Sequence, residues 1–571
     1  MVLGDELAGR EQFLTYLYQV GSYAVVAAST FHLNSIIESR IKLVENLVPP
    51  RNPTDLEHLN FPLTMKLQNV ILPGRDPKSR WDVLLESDTI TSIRPTEDWF
   101  DNSSLSSTPD TPSSLLLPPL CHPHIHLDKA YILTCNSHHN PHTVSHDGHG
   151  PDYTDLAPQS GSFSEALTKT SQAKQRYTPD DLYLRGSQLL GTSLTQGVTS
   201  CRAFVEVDHV TGAMCIAAAI SLKKRFFTEG PQRGYLFKLQ ICAFAQDPIF
   251  STDKGESNRQ LLEKVLDEYA FRDGSGGGRA EQHIEALGST PYVETSRAAA
   301  LDNIKWAIDT ALAKSLHLDF HLDYNLDPDL PAMVWDVLRL LREANWNERA
   351  RPDKTIVLGH CTRLTLFDDA EMAKLAREIK ESKLPVHFVG LPTSDLFMMG
   401  RPSASDDSKT LAANRPRGTL QVLSMINAHG LNACLSVNNV GNAFTPWGTG
   451  DPLALASLGV GVYQAGTEDD AMKLYECVST RARRAIGLST PVTHDTTPET
   501  SSRREDEGDP GQNSVVLVEG RGGEILLVRN EEWVGCPGHL GMKIPARQRV
   551  SVRDVVWDVP EVRLRHILRE T

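Results

Sequence analysis

Two rhythms of apolar and polar positions divide the chain. From Leu63 to about Pro95, TMKLQNVILPG and WDVLLESDTITSIRP alternate apolar and polar residues with turn signals between them, the period of short antiparallel strands. DNSSLSSTPDTPSS, from Asp101, reads as a Ser/Pro-rich exposed loop. After it the period changes. Eight short apolar runs follow: LLLPPLCHPHIH, VTSCRAF, KLQICAFAQ, HIEALGST, HLDFHLDY, TIVLGHCT, PVHFVGLP and NACLSVNN. The segments between them have helical or loop character. PAMVWDVLRLLREANW and EMAKLAREIKES carry apolar residues three and four apart, and LQVLSMINAHG ends on a glycine helix stop. Strands alternating with helices predict a parallel sheet, and eight such units predict an α/β fold of the (β/α)8 TIM-barrel type, with a doubly wound sheet as the rival.

The flanks read differently. Residues 1–62 show helical patterning around Gln12–Leu47 before a proline-marked break, LVPPRNPTDL, and read as a helical extension without chemistry. Residues 489–514 are polar and charge-rich, which predicts disorder. Beyond them SVVLVEG, EILLVRN and RQRVSVRDVVWDV are strand-like. Pairing them with the strands near Met65 gives a small β-sandwich from both ends of the chain, residues 63–114 and 515–571, around a barrel over 115–488.

Composition narrows the partners. The 571 residues hold 57 Lys+Arg against 72 Asp+Glu, a net charge of −15, which disfavours nucleic acid because affinity there needs clustered positive charge. The basic runs KKRFF near Lys223 and RARR near Arg481 read as solvated helix faces. Nine cysteines without a CxxC pair argue against a disulfide framework and for a reducing compartment. YAVVAAS is far too short to span a bilayer, and MVLGDELAGREQ has acids where a secretory signal has bases. The expectation is a cytoplasmic protein acting on a small molecule, with no membrane or nucleic-acid partner; assembly into a homo-oligomer is compatible with this.

The first barrel run ends His124-Ile125-His126. Residues i and i+2 of a strand point the same way, so both imidazoles can face one metal. The fifth run ends with His321 and the sixth with His360. An apolar strand has no packing reason to end repeatedly in imidazole, and the C-terminal ends of barrel strands are where such folds do chemistry. The histidines therefore predict a metal site.

LPPLCHPHIHLDKAY, HLDFHLDYNLDP, VLGHCTRL, VGLPTSDLFMMGR and SVNNVGNAFTPWGTGD resemble successive signature segments of the amidohydrolase superfamily, within it the bacterial cytosine deaminase group; AFAQD and GVTSCRAFVEVD are similar to family segments too. The similarity runs from about Met65 to about Leu488. It implies one divalent metal ion, zinc or iron(II), held by His124, His126 and His321, with His360 holding the attacking water or the developing oxyanion. It implies that Gln246 contacts substrate and that Phe444 lines the pocket.

The departures from the family pattern fall on proton carriers. Asn438 stands where the family has a metal-contacting aspartate, and an amide cannot accept and return a proton at neutral pH. Tyr324 replaces a family glutamate, His122 a family carboxylate and Phe204 a family histidine. Loss of one positioned acid or base costs about 10²–10⁴ in rate, so two losses weigh against ordinary cytosine deamination. Asp395, where an amide is more usual, is expected to return a carboxylate to the pocket. Asp128 and Lys129 either pair locally or line the site. CNSHHNPHTVSHDGHG (His138, His139, His142, His146 and His149) reads as a polar insertion rather than a metal-gathering flap, and GSGGGRAE near Gly276 as a connection too irregular for a phosphate loop. The favoured activity is metal-dependent hydrolysis of a non-peptide C–N bond in a cyclic amidine, cyclic amide or aminated heterocycle. The rival is a degenerate barrel serving as a metal- or ligand-binding regulatory or scaffold protein.

Overall fold

The computed structural model describes residues 64–86, 89–96, 112–134, 151–229, 237–270, 282–400, 418–488, 515–522, 524–534 and 544–568. The N-terminal extension, the Asp101 loop as far as residue 111, the His138–His149 loop, GSGGGRAE and the 489–514 insertion lie outside these residues.

Two small antiparallel sheets flank the barrel. The first is a meander of β1 (Thr64–Val70), β2 (Trp81–Glu86) and β3 (Thr89–Pro95). The second joins β4 (Leu115–Leu117) to the late strands β13 (Ile525–Val528) and β14 (Arg565–Leu568), so the sandwich is built from both flanks of the barrel. Val70, Val83, Leu85 and Ile90 of the first sheet, and Leu72 just after β1, share one apolar core with Leu116 and Ile525 of the second.

Of the three strand-like pieces beyond residue 514, EILLVRN alone forms a strand, β13. The valines of RQRVSVRDVVWDV alternate like a strand, yet Val552–Trp557 is a helix. The Ser551 hydroxyl accepts from the Asp554 backbone N–H and caps its first turn. β13 pairs instead with Arg565–Leu568, a run too short to show a period.

The eight predicted barrel runs form one parallel sheet: β5 (Leu120–His126), β6 (Val198–Glu206), β7 (Lys238–Ala245), β8 (Ile284–Ser289), β9 (His317–Leu322), β10 (Ile356–His360), β11 (Val386–Gly390) and β12 (Ala433–Leu435). The seam closes at the site predicted to be catalytic. Asn438 donates its backbone N–H to the His124 carbonyl (3.2 Å), its own carbonyl accepts from His126 (2.9 Å), and Ser436 Oγ donates to the His124 carbonyl (2.6 Å). A doubly wound sheet is thereby excluded.

Inside the barrel, Phe204, Cys242, Phe244 and Ala286 form an apolar layer beneath the strand-end histidines. Beside it lies a buried ion pair, Arg202 Nη1 to Asp319 Oδ2 at 3.0 Å, with Arg202 Nε also donating to Gln240 Oε1. Arg565 of β14 reaches from the small sheet to the barrel. It grips Asp451 with two bonds (2.9 and 2.8 Å), and Asp451 caps the helix Pro452–Val462 by accepting from Leu453 N–H. Within the basic runs, Lys223 pairs with Glu285, Arg481 with Glu476 and Arg483 with Glu524, while Lys224 is exposed. The seven described cysteines are buried and free, and among the described residues no helix is long and apolar enough to cross a membrane.

Candidate functional site

The pleat of β5 turns His124 and His126 to the same side, and the β9 end brings His321 between them. His321 Nε2 lies 3.1 Å from His124 Nε2 and 3.1 Å from His126 Nε2. Two nitrogens about 2.0–2.1 Å from one ion, at near-tetrahedral angles, stand roughly 3.1–3.4 Å apart. The spacing fits a shared divalent ion. The ring nitrogens of His124, His321 and His360 also lie within 4.8 Å of one another, so His360 borders the same point. Burial, reinforced by neighbouring cationic groups, holds the imidazoles of His124, His126 and His321 well below the ordinary histidine range. They are therefore neutral, the form a metal ligand requires.

The surroundings fix these rings. Phe204 packs on His124 (4.1 Å between centroids) and His321 (4.8 Å), and Phe244 packs on His321 (4.5 Å). Where the family resemblance expects a further histidine, Phe204 supplies an apolar wall. Asp319 Oδ1 stands 3.8 Å from His124 Nδ1 while its other oxygen holds Arg202. Burial pushes the Asp319 carboxyl up to about 7, against the pull of Arg202.

His360 and Asn438 both adopt left-handed backbone (φ 66° and 69°), as do Asp323 and Cys361. Such strain in non-glycine residues costs of order 1 kcal/mol each and gathers at functional sites. Asp395 does not line the cavity. The helix Pro392–Met398 sets it behind His360, fully buried, where Oδ1 accepts from His360 Nδ1 (3.0 Å) and Oδ2 from the Thr419 hydroxyl (2.9 Å). The expected return of a carboxylate thus happens through His360. Burial raises the Asp395 carboxyl and the contact with His360 opposes that shift. The Tyr324 ring lies 3.9 Å from the His360 ring, and its buried hydroxyl has no partner. Asn438 Nδ2 donates to Ser394 Oγ (2.9 Å), and Asn438 Oδ1 is likewise buried and unpartnered.

A cavity with about 300 Å³ of empty space, its mouth included, opens over these groups. His126, His321, His360, Asn438, Gln246, Phe444 and Tyr324, all predicted, line it. So do Lys129, Asn439, Phe163 and Tyr292. Lys129 both pairs and lines: Nζ meets Glu206 and donates to Gln246 Oε1 at 3.1 Å. Phe163 on the helix Phe163–Lys174 and Tyr292 in the turn after β8 escaped the sequence reading because neither sits at a strand end. Phe163 lies 5.8 Å from Tyr324 and 5.9 Å from Phe444, and Tyr292 6.1 Å from Tyr324, which makes the upper cavity aromatic.

No protein-family model and no curated protein matches the chain. Solved structures do match in fold. The 5-methylcytosine deaminase of Klebsiella pneumoniae, solved with 5-fluorocytosine, aligns at a TM-score of 0.60 and 20% identity over 89% of this chain and 96% of its own. The N-isopropylammelide isopropylaminohydrolase of Burkholderia multivorans ATCC 17616 aligns at 0.54 and 19% over 89% and 97%.

Proposed function

We propose that this chain is a metal-dependent hydrolase that cleaves a C–N bond in a small nitrogen heterocycle carrying an amino or alkylamino group. The observation that carries the reading is the convergence of three neutral, buried imidazoles beside an aromatic cavity, with His321 Nε2 3.1 Å from both His124 Nε2 and His126 Nε2. The fold neighbours, a deaminase and an alkylamine-releasing hydrolase, support the same chemistry.

His124, His126 and His321 would hold the ion, zinc or iron(II). When bound, it supplies Lewis acidity, which brings the pKa of water at such a site towards about 7. The protein's share is positioning and proton transfer. His360 donates its Nδ1 proton to Asp395, which leaves Nε2 unprotonated toward the cavity. That nitrogen takes the proton of the attacking water and returns it to the leaving nitrogen, work that Asn438 and Tyr324 cannot do at neutral pH. Asn438 Oδ1 accepts a hydrogen bond from the water and orients it. Phe163, Tyr292, Tyr324 and Phe444 enclose a planar ring and exclude bulk solvent.

The test combines elemental analysis with product detection. Wild type purified without chelator should carry about one zinc or iron per chain, and a screen of aminated and alkylaminated heterocycles should release ammonia or amine. His124→Ala/His126→Ala should lose both. Absence of metal even after reloading, or product release that survives the double substitution, would overturn the reading.

A further inference from the structure

A second cavity shares no lining residue with the one over the histidines. It holds about 180 Å³ of empty space, its mouth included. Val205 of β6 lines it, with Leu182 from the helix Pro179–Thr195 and Cys215, Ala218 and Leu222 from the helix Met214–Lys223. The one charged residue in this otherwise apolar lining is Asp128. Asp128 and Lys129 are neighbours in sequence that line different cavities.

Asp128 is 4% exposed. Its Oδ2 accepts from the Glu206 backbone N–H (2.9 Å), and its Oδ1 is buried without a partner. The cations nearby are already engaged. Lys129 and Lys174 both meet Glu206, and Lys174 also meets Asp208 (2.7 Å). Arg185 gives Nε and Nη2 to Asp181 and Nη1 to the carbonyls of Asp128 and Ala130, so that ion pair cancels itself. Three buried carboxylates, Asp128, Glu206 and Asp208, are left with two ammonium groups, and one negative charge goes uncompensated. The half-exposed Asp247, which also meets Lys174, adds to the negative side. The Tyr177 hydroxyl, buried without a partner beside Asp128 and Cys215, offers a second oxygen acceptor.

A buried carboxylate oxygen without a donor is costly, and only an apolar cavity stays empty without penalty. A water molecule would supply a donor here but not the missing positive charge. A group that supplies both, and also suits the aliphatic walls, is an ammonium carrying a short alkyl chain. We propose that this cavity is a second binding site and that it takes a short primary alkylammonium ion, its NH3+ end on Asp128 Oδ1 and its alkyl end against Leu182, Val205 and Leu222. The site is separate from the histidine cavity, so the inference stands apart from the hydrolase reading.

The test is calorimetric titration of the metal-loaded full chain at pH 7, where a primary amine is protonated as a lysine is. The probes are ethylammonium chloride, ethanol (the same alkyl group without charge) and tetramethylammonium chloride (charge without N–H). Ethylammonium should bind at least about tenfold more tightly than either, the gap between a charge-assisted and a neutral hydrogen bond. Asp128→Asn lets the amide oxygen take the Glu206 N–H and turns an NH2 toward the vacant side, so it should weaken ethylammonium at least about tenfold. Ala218→Leu narrows the cavity from a half-buried position without touching a charge. It should weaken ethylammonium similarly, and it covers the case in which Asp128→Asn fails to fold. No ethylammonium binding, equal affinity for ethanol or tetramethylammonium, or binding that survives in every variant that folds would overturn the inference.

Discussion

Gly359→Ala puts one methyl group against the proposed metal ligand His124. Gly359 pairs with His321 in the β9–β10 register, and a Cβ built on it would lie 2.8 Å from His124 Cε1 and 3.1 Å from Nδ1. Unstrained carbon contacts are about 3.5–4.0 Å, so the imidazole must retreat by roughly 0.7–1.2 Å. It has little room to do so, since Phe204 and His321 pack on it with centroids 4.1 and 4.4 Å away. Ligand distances in a working site hold to about 0.2 Å, so the displacement is several times the tolerance. Gly359 does not adopt left-handed backbone, and the effect is steric alone. We expect metal affinity to fall by about 10–100-fold, the range for disturbed ligand support, with an overpacking cost of about 1–3 kcal/mol in the metal-free protein. Competition against chelators of graded affinity measures the first, and thermal unfolding of the apoprotein the second. Gly448→Ala, whose Cβ meets nothing within 4 Å, is the control. Wild-type metal affinity in Gly359→Ala would refute the placement of His124 in the metal shell.

Three further outcomes follow from contacts already described. Asp395→Asn turns the group facing His360 Nδ1 into a donor and moves the imidazole proton to Nε2; turnover should fall by about 10²–10⁴ with metal content unchanged, and intact activity would dismiss the His360–Asp395 pair. Arg565→Met leaves the Asp451 carboxylate buried without its partner and should cost about 3–5 kcal/mol, read as a lower urea midpoint. Burial, aided by Arg484, pushes His387 down to about 3. The unfolded chain therefore takes up that proton below about 6.5 while the folded chain does not, so stability is full above 6.5 and drains as pH falls toward 3, at up to about 1.4 kcal/mol per pH unit from this group. Urea midpoints for His387→Gln should fall less steeply with acid than wild type; parallel slopes would count against it.

The histidine cluster was legible because imidazoles at the ends of apolar strands have no packing explanation, and the strand period alone sets His124 beside His126. The barrel was legible for the same reason: its runs are too apolar to be anything but interior. What stayed hidden depends on long-range placement. Asp395 reads as a pocket residue until Pro392 starts a helix that tucks it behind His360. Phe163 and Tyr292 reach the cavity from a helix and a turn that no strand pattern marks. The direction of the Asn439 amide is decided by Asn442 and two backbone N–H groups, which no spacing rule exposes. The helix at Val552–Trp557 lay behind a strand-like valine pattern, although Ser551 followed by Asp554 was a capping signal in plain view.

The grip of Arg565 on Asp451 has a consequence in time. Asp451 ends the segment that carries Asn438, Asn439 and Phe444, and its partner arrives 114 residues later. At roughly 5–20 residues per second on the ribosome, that segment waits about 6–23 seconds after its own synthesis before its far end can be tied down. Over that interval the histidine strands are already made while one wall of the cavity lacks its anchor. A nascent chain halted between the two residues should hold metal poorly and close the cavity only when β14 emerges, so that the strand farthest from the chemistry in sequence sets the moment at which the site becomes whole.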